Sequence, residues 1–126
     1  MRLLLDTATL IYAVQFPERL SRRASSLLQD LDNVLELSAI SVTEIAIKAA
    51  SGKLAFAAAT LRKSTQDLGI RILPYSGDHA LRLFELPVHH RDLFDRQIIA
   101  QALSEQIPAV TPDETFRLYK GLRVIW

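Results

Sequence analysis

Cysteine is absent from the 126-residue chain, which excludes disulfides and thiolate metal centres and permits a reducing compartment. Glycine occurs only four times, at scattered positions, and no Gly-rich phosphate loop can be drawn from it. Aromatic residues make up 7% of the chain. Tyr12, Phe16, Phe56, Phe84 and Phe94 read as core residues rather than as base-stacking platforms. No Ser-centred nucleophile motif is present. No apolar run approaches the roughly 20 residues that span a bilayer, and Asp6 arrives too early for a signal-peptide apolar region. A soluble, cytoplasmic protein without membrane contact is the expectation. Neither sign of charge dominates. The 15 basic and 14 acidic residues leave a net +1, too little for a strong global pull on nucleic acid. Any such contact has to come from a local basic patch or a bound metal.

What is present is ordinary for a compact protein, with 49% hydrophobic and 23% charged residues. The length fits one domain, residues 1–126, with no linker or internal repeat. Short apolar runs alternate with amphipathic stretches. Arg2 to Leu5 reads as a buried strand, followed by helix around Leu10 to Val14. Ser21 caps a helix to Leu31 that aligns Ala24, Leu27, Leu28 and Leu31 on one face. Val34 to Leu37 is a second strand, and a helix from Val42 to about Ala50 stops at Gly52. Another helix covers about Ala58 to Leu68 and ends at Gly69. Ile70 to Leu73 is a third strand. Ser76 caps a short helix to Leu86, and Asp92 opens a long one through Gln106 with Ile98, Ile99, Ala102 and Leu103 inward. Ala109 to Thr111, a short helix near Thr115 to Tyr119, and Leu122 to Trp126 complete an alternating β/α order. Such an order predicts a parallel sheet covered on both faces, with ligands outside the carboxyl ends of the strands.

Four acids fall at such places. Asp6 follows the first strand and Asp113 the fourth. Glu44 and Asp95 fall in the first turns of the helices read from Val42 and Asp92. Carboxylates held together repel one another and call for a hard cation. Oxygen ligands with water suit Mg²⁺ or Mn²⁺, ions that support phosphodiester hydrolysis. Each acid also has a structural reading. Asp6 is a polar stop at a strand end. Ser41-Val42-Thr43-Glu44 matches a capping box, and Glu44 precedes Lys48 by four. Asp95 favours a helix dipole, and Asp113 can cap the following helix. His89 and His90 are adjacent, so their side chains diverge and a zinc pair is not expected. With Arg91 they form a small basic cluster before Asp92, which reads equally as a solvated loop or as a phosphate contact. His79 reads as a surface residue.

The sequence resembles the PIN-domain family, in particular its VapC-like toxins. The resemblance is carried by Leu4-Leu5-Asp6-Thr7, by Glu44-Ile45-Ala46-Ile47-Lys48 with Gly52-Lys53-Leu54, and by Leu86-Pro87 leading into His89-His90-Arg91-Asp92-Leu93-Phe94-Asp95-Arg96 and Ile99-Ala100-Gln101-Ala102. Val110-Thr111 with Asp113-Glu114 and the terminal Val124-Ile125-Trp126 complete it. It implies an α/β fold, a PIN-like three-layer α/β/α sandwich with a mostly parallel central sheet. It also implies Mg²⁺- or Mn²⁺-dependent endoribonuclease activity, homodimers, and a small cognate antitoxin that blocks the site. The family's acidic positions fall on Asp6, Glu44, Asp95 and Asp113, as catalytic residues and metal ligands alike. Asp92 is a secondary candidate, and Thr7 and Thr111 match supporting hydroxyls. Ala8, Thr43 and Pro112 depart from residues common in these toxins, and they leave open a catalytically weak member acting through dimer and antitoxin contacts. A phosphorelay receiver domain fits less well, because Asp6 is alone and the third strand runs into Pro74.

Overall fold

A computed structural model describes all of residues 1–126. Three consecutive leucines, Leu3 to Leu5, have no exposed surface. Strand period 2 sends Leu3 and Leu5 to one core and Leu4 to another. That forces β1 (Arg2–Leu5) into the middle of a sheet covered on both faces. Each fully buried leucine contributes about 1.5–3 kcal/mol of transfer free energy.

The chain continues through α1 (Thr7–Gln15), α2 (Arg22–Gln29), β2 (Val34–Ser38), α3 (Ala39–Ala50), α4 (Ala58–Asp67), β3 (Arg71–Leu73), α5 (Gly77–Leu81), α6 (Leu93–Glu105), β4 (Ala109–Val110) and β5 (Val124–Ile125). Short 3₁₀ turns lie at Pro17–Arg19, Arg82–Glu85 and Glu114–Leu118. All strand pairs are parallel, in the order β3-β2-β1-β4-β5. The chain thus runs outward from β1 in one direction, then restarts at β4 on β1's other side. Between the carboxyl ends of β1 and β4 lies the switch point where parallel α/β sheets bind ligands.

One core joins Leu3, Leu5, Leu35 and Leu37 to Leu10 of α1, Ala24 of α2 and Ile45 of α3. The other sets Leu4 and Ala109 against Ile98, Ile99 and Ala102 of α6, with Phe116 and Tyr119. These cores make the expected α/β/α layering. On the α6 face the buried Glu36 accepts hydrogen bonds from Arg2 at 3.0 and 3.2 Å, and Arg2 also reaches Glu105 at 3.1 Å. The pairing matters because an unpaired carboxylate there would be strongly destabilising.

Several expectations change. The helix after β2 starts at Ala39, not Val42, because Ser38 caps it by accepting the Ile40 N–H at 3.0 Å. Ser41 is therefore inside the helix and Glu44 stands in its second turn, so the capping box does not form. Ser41 instead accepts the Thr7 hydroxyl at 2.9 Å. α2 stops at Gln29, and Leu31 lies 98% exposed rather than on the inner face. The segment after Ser76 loosens into a 3₁₀ turn that leaves Phe84 90% exposed. His79 is buried rather than on the surface. Its ring accepts the Ser76 N–H to close a capping box of its own, and Nε2 lies 3.4 Å from Glu105. Gly52 and Gly69 do end their helices, with φ of +74° and +66° that favour glycine.

Candidate metal centre

Asp6 leaves β1 as the N-cap of α1. Its Oδ1 accepts the Thr9 N–H at 2.8 Å and its Oδ2 accepts the Thr111 hydroxyl at 2.5 Å. The Thr111 Oγ1 in turn accepts the Asp113 N–H at 3.0 Å. One hydroxyl thus ties the acid after β1 to the acid after β4. Asp113 Oδ1 accepts the Thr115 N–H at 2.9 Å and so caps the 3₁₀ turn. Asp92 caps α6 by accepting from Phe94 and Asp95 at 2.9 and 3.0 Å. Three helical N-termini consequently point into one corner, and their dipoles partly offset the negative charge gathered there.

Asp95, in the first turn of α6, enters the corner from one side. Glu44 enters from α3, an element that packs on both α1 and α6. Its Oε2 accepts Lys48 at 2.6 Å, while its buried Oε1 has no partner. The acids sense one another. Burial, with the Asp113 charge adding to it, raises Asp6 to about 6 despite the bonds from Thr111 and Thr9. Burial and the charges of Asp92, Asp6 and Glu44 raise Asp95 to about 7, against His90. Asp113 is held below its ordinary value. Burial opposes this, but the Thr115 N–H and His90 outweigh it.

All four acids expected from the sequence therefore meet at the switch point. Asp92 is close enough to act on Asp95 and Lys48 by charge, and capping fully explains its own position. Thr111 binds an acid directly, whereas Thr7 supports α3 through Ser41. His90 is the residue that sequence reasoning missed. Its Nε2 lies 2.7 Å from Asp113 Oδ2 and 3.1 Å from Asp95 Oδ2. His89 diverges from it and stacks edge-on against Tyr119. Two adjacent histidines carry no sign of which ring turns inward.

His90, Asp95 and Asp113 offer donor atoms within 4.8 Å of one another. With the unpartnered Glu44 Oε1 and the buried Asp6, the donor set is oxygen-rich and lacks sulfur, which fits a hard divalent cation. A cleft of about 820 Å³ lies elsewhere, at the amino ends of the strands among Arg2, Arg82, Lys120 and Arg123.

A five-stranded parallel α/β sandwich is the PIN fold, and the PIN domain family matches residues 3–122. The chain belongs to that family. Among solved structures it is similar to VapBC2 from Rickettsia felis bound to a promoter DNA fragment, with a TM-score of 0.75, 18% identity, and 99% and 98% of the two chains covered. It is also similar to DNA-bound VapBC from Salmonella typhimurium, with a TM-score of 0.72, 17% identity and coverage of 99% and 97%. VapBC-1 from nontypeable Haemophilus influenzae gives 0.71, 22%, and 99% and 97%. No curated protein matches the chain.

Proposed function

We propose that this PIN domain is a Mg²⁺- or Mn²⁺-dependent endoribonuclease and the toxin of a toxin–antitoxin pair. The observation that carries the reading is the meeting of Asp6, Glu44, Asp95 and Asp113 from four separate elements, with a buried Glu44 oxygen left without a partner. PIN domains are generally nucleases. Asp6, Glu44, Asp95 and Asp113 would hold the cation. Such an ion, when bound, lowers the pKa of water and stabilises developing charge on phosphate oxygens. The chain's own part is positional. Thr111 fixes the Asp6 carboxylate, the Thr115 N–H fixes one oxygen of Asp113, and Lys48 engages one Glu44 oxygen while the other stays buried and without a partner. Gathered acids repel an RNA backbone, so the cation is also what makes the corner approachable to a phosphodiester.

The partners follow the same reading. The structures named above are of VapBC proteins, and a further similar structure, from Mycobacterium tuberculosis, is described as a member of the VapBC family of toxin–antitoxin systems. An apolar groove of about 270 Å³ runs between α3 and α4 among Val42, Ile45, Ala49, Phe56 and Leu61. An antitoxin lying there would be on the helix that carries Glu44, within reach of setting a basic side chain against the acids. Exposed Leu81, Phe84, Val88 and Leu93 supply apolar surface for a homodimer. The test is cleavage of mixed RNA and of single-stranded DNA by the purified chain, freed from any partner, with Mn²⁺ and with chelator. Metal-dependent internal cuts in RNA support the reading. Cuts in DNA alone, or undiminished activity in excess chelator, contradict it.

A further inference from the structure

His90 lies where a cation would be expected, yet its hydrogen bonds show that it is not placed as a ligand. Its Nδ1 accepts the Asp92 backbone N–H at 3.1 Å. A backbone N–H can only donate, so Nδ1 presents its lone pair there and the ring proton resides on Nε2. That Nε2–H points at Asp113 Oδ2, 2.7 Å away, with Asp95 Oδ2 at 3.1 Å. A protonated ring nitrogen has no lone pair to give a metal. In this arrangement the imidazole donates to Asp113, stands beside the Asp95 carboxylate and fills the space that the two would close around an ion. The ring is mostly buried and packs edge-on against Phe116, with centroids 6.0 Å apart.

The loop that carries the ring is anchored by bonds that do not involve the ring's inward edge. The His89 and His90 N–H groups both donate to the Tyr119 hydroxyl, at 3.2 and 2.8 Å. The Arg96 guanidinium holds the Pro87 and Leu86 carbonyls at 3.0 and 3.4 Å. Side-chain rotation of His90 can therefore vacate the corner while residues 87–92 keep their path. Rotation frees the Asp92 N–H to water and exposes Asp95 and Asp113 to each other.

We propose that His90 is a positioning residue that stands in for the divalent cation in the metal-free protein. It holds Asp95 and Asp113 together and must withdraw before the cation binds. His90 is then a competitor of the metal, setting the cation concentration at which the centre fills. The proposal rests on the reading that these acids hold a divalent cation.

The test is Mn²⁺ binding to the metal-stripped chain, by calorimetry or by the free-Mn²⁺ signal in electron paramagnetic resonance, for wild type and His90→Ala. Thermal melts in chelator accompany it. His90→Ala is expected to bind Mn²⁺ about tenfold tighter, equivalent to about 1.4 kcal/mol, the low end for a hydrogen bond to a charged acceptor. It should also melt earlier than wild type in chelator and gain more from added Mn²⁺. His90→Phe keeps a ring against Phe116 and cannot donate, so it should tighten binding as well, and it serves if the alanine variant folds poorly. Weaker binding in both variants would make His90 a ligand and overturn the proposal while leaving the metal reading intact. Unchanged binding would overturn it too. No Mn²⁺ binding by any of the three proteins would overturn both.

Discussion

At Glu44 one carboxylate oxygen meets Lys48 at 2.6 Å and the other, buried, meets nothing. A capping role would have explained the residue from local sequence, but Ser38 caps α3 and Glu44 stands a turn further on. The Lys48 pair is half exposed at the lysine, so its loss removes only a few tenths of a kcal/mol. Glu44→Gln is therefore expected to fold normally in a thermal melt. Single-turnover RNA cleavage should fall by about two orders of magnitude, or about 2.7 kcal/mol of barrier, because an anionic oxygen is lost from the centre. Wild-type cleavage at low Mg²⁺ would leave Glu44 as a structural partner of Lys48. Asp6 carries a cap and a buried charge together, and two substitutions separate them. Asn retains a capping oxygen for the Thr9 N–H, so Asp6→Asn should abolish cleavage and match or exceed wild-type stability in chelator near pH 8. Asp6→Ala relieves the same repulsion but also loses the cap, and it should melt below Asp6→Asn by the equivalent of about 1 kcal/mol. Equal loss of stability in both variants would mean that the charge of Asp6 itself supports the fold.

Among the elements, those with a strong local signal are legible. Ser21 accepts the Ala24 N–H and Asp92 accepts those of Phe94 and Asp95, as the residues before α2 and α6 predict. The missed start of α3 has a local reason. Ser38 and Ser41 both precede plausible helix, and only the second is followed by Glu at the right spacing, so the pattern favours the wrong serine. Hydrophobic type places Leu31 and Phe84 inside, but α2 and α5 end early and leave both in solvent. The loop between Leu86 and Leu93 carries no readable geometry, because a tyrosine thirty residues away holds it. Tyr119→Phe removes the hydroxyl that accepts both the His89 and His90 N–H groups. Leaving such donors without a partner costs about 1–3 kcal/mol. Hydrogen exchange of residues 88–92 should accelerate strongly in Tyr119→Phe, while the amides of β1 keep wild-type protection. An unchanged loop would show that the Arg96 contacts alone suffice.

At the scale of the whole molecule, the four acids are readable because the alternating β/α order assigns strand ends and helix starts to one edge of a sheet. His90 is not, because its pairing depends on how the edge closes in three dimensions. Burial of these carboxyls, with the charge of their acidic neighbours adding to it, makes stability depend on pH with an unusual sign. Folding raises Asp6 from 3.8 to about 6 and Asp95 from 3.8 to about 7. Between those values the native state binds more protons than the unfolded chain, so unfolding free energy falls as pH rises through that window. Stability from these groups is fullest below about pH 4. Asp6 alone accounts for a loss of about 3 kcal/mol by pH 8, since each tenfold change in proton affinity is worth about 1.4 kcal/mol. Melts in chelator from pH 4 to 8 should show the decline, and saturating Mn²⁺ at pH 8 should reverse it, since a cation binds the deprotonated acids. The most direct measurement of the central claim is single-turnover RNA cleavage titrated with Mn²⁺ for wild type, Asp95→Asn and Asp113→Asn, beside Mn²⁺ binding by the same three proteins. The account predicts that cleavage by wild type rises with occupancy of the metal. It predicts that both variants lose Mn²⁺ affinity and cleavage together while remaining folded. Cleavage that persists in either variant at wild-type rate, or that does not follow Mn²⁺ occupancy, would contradict it.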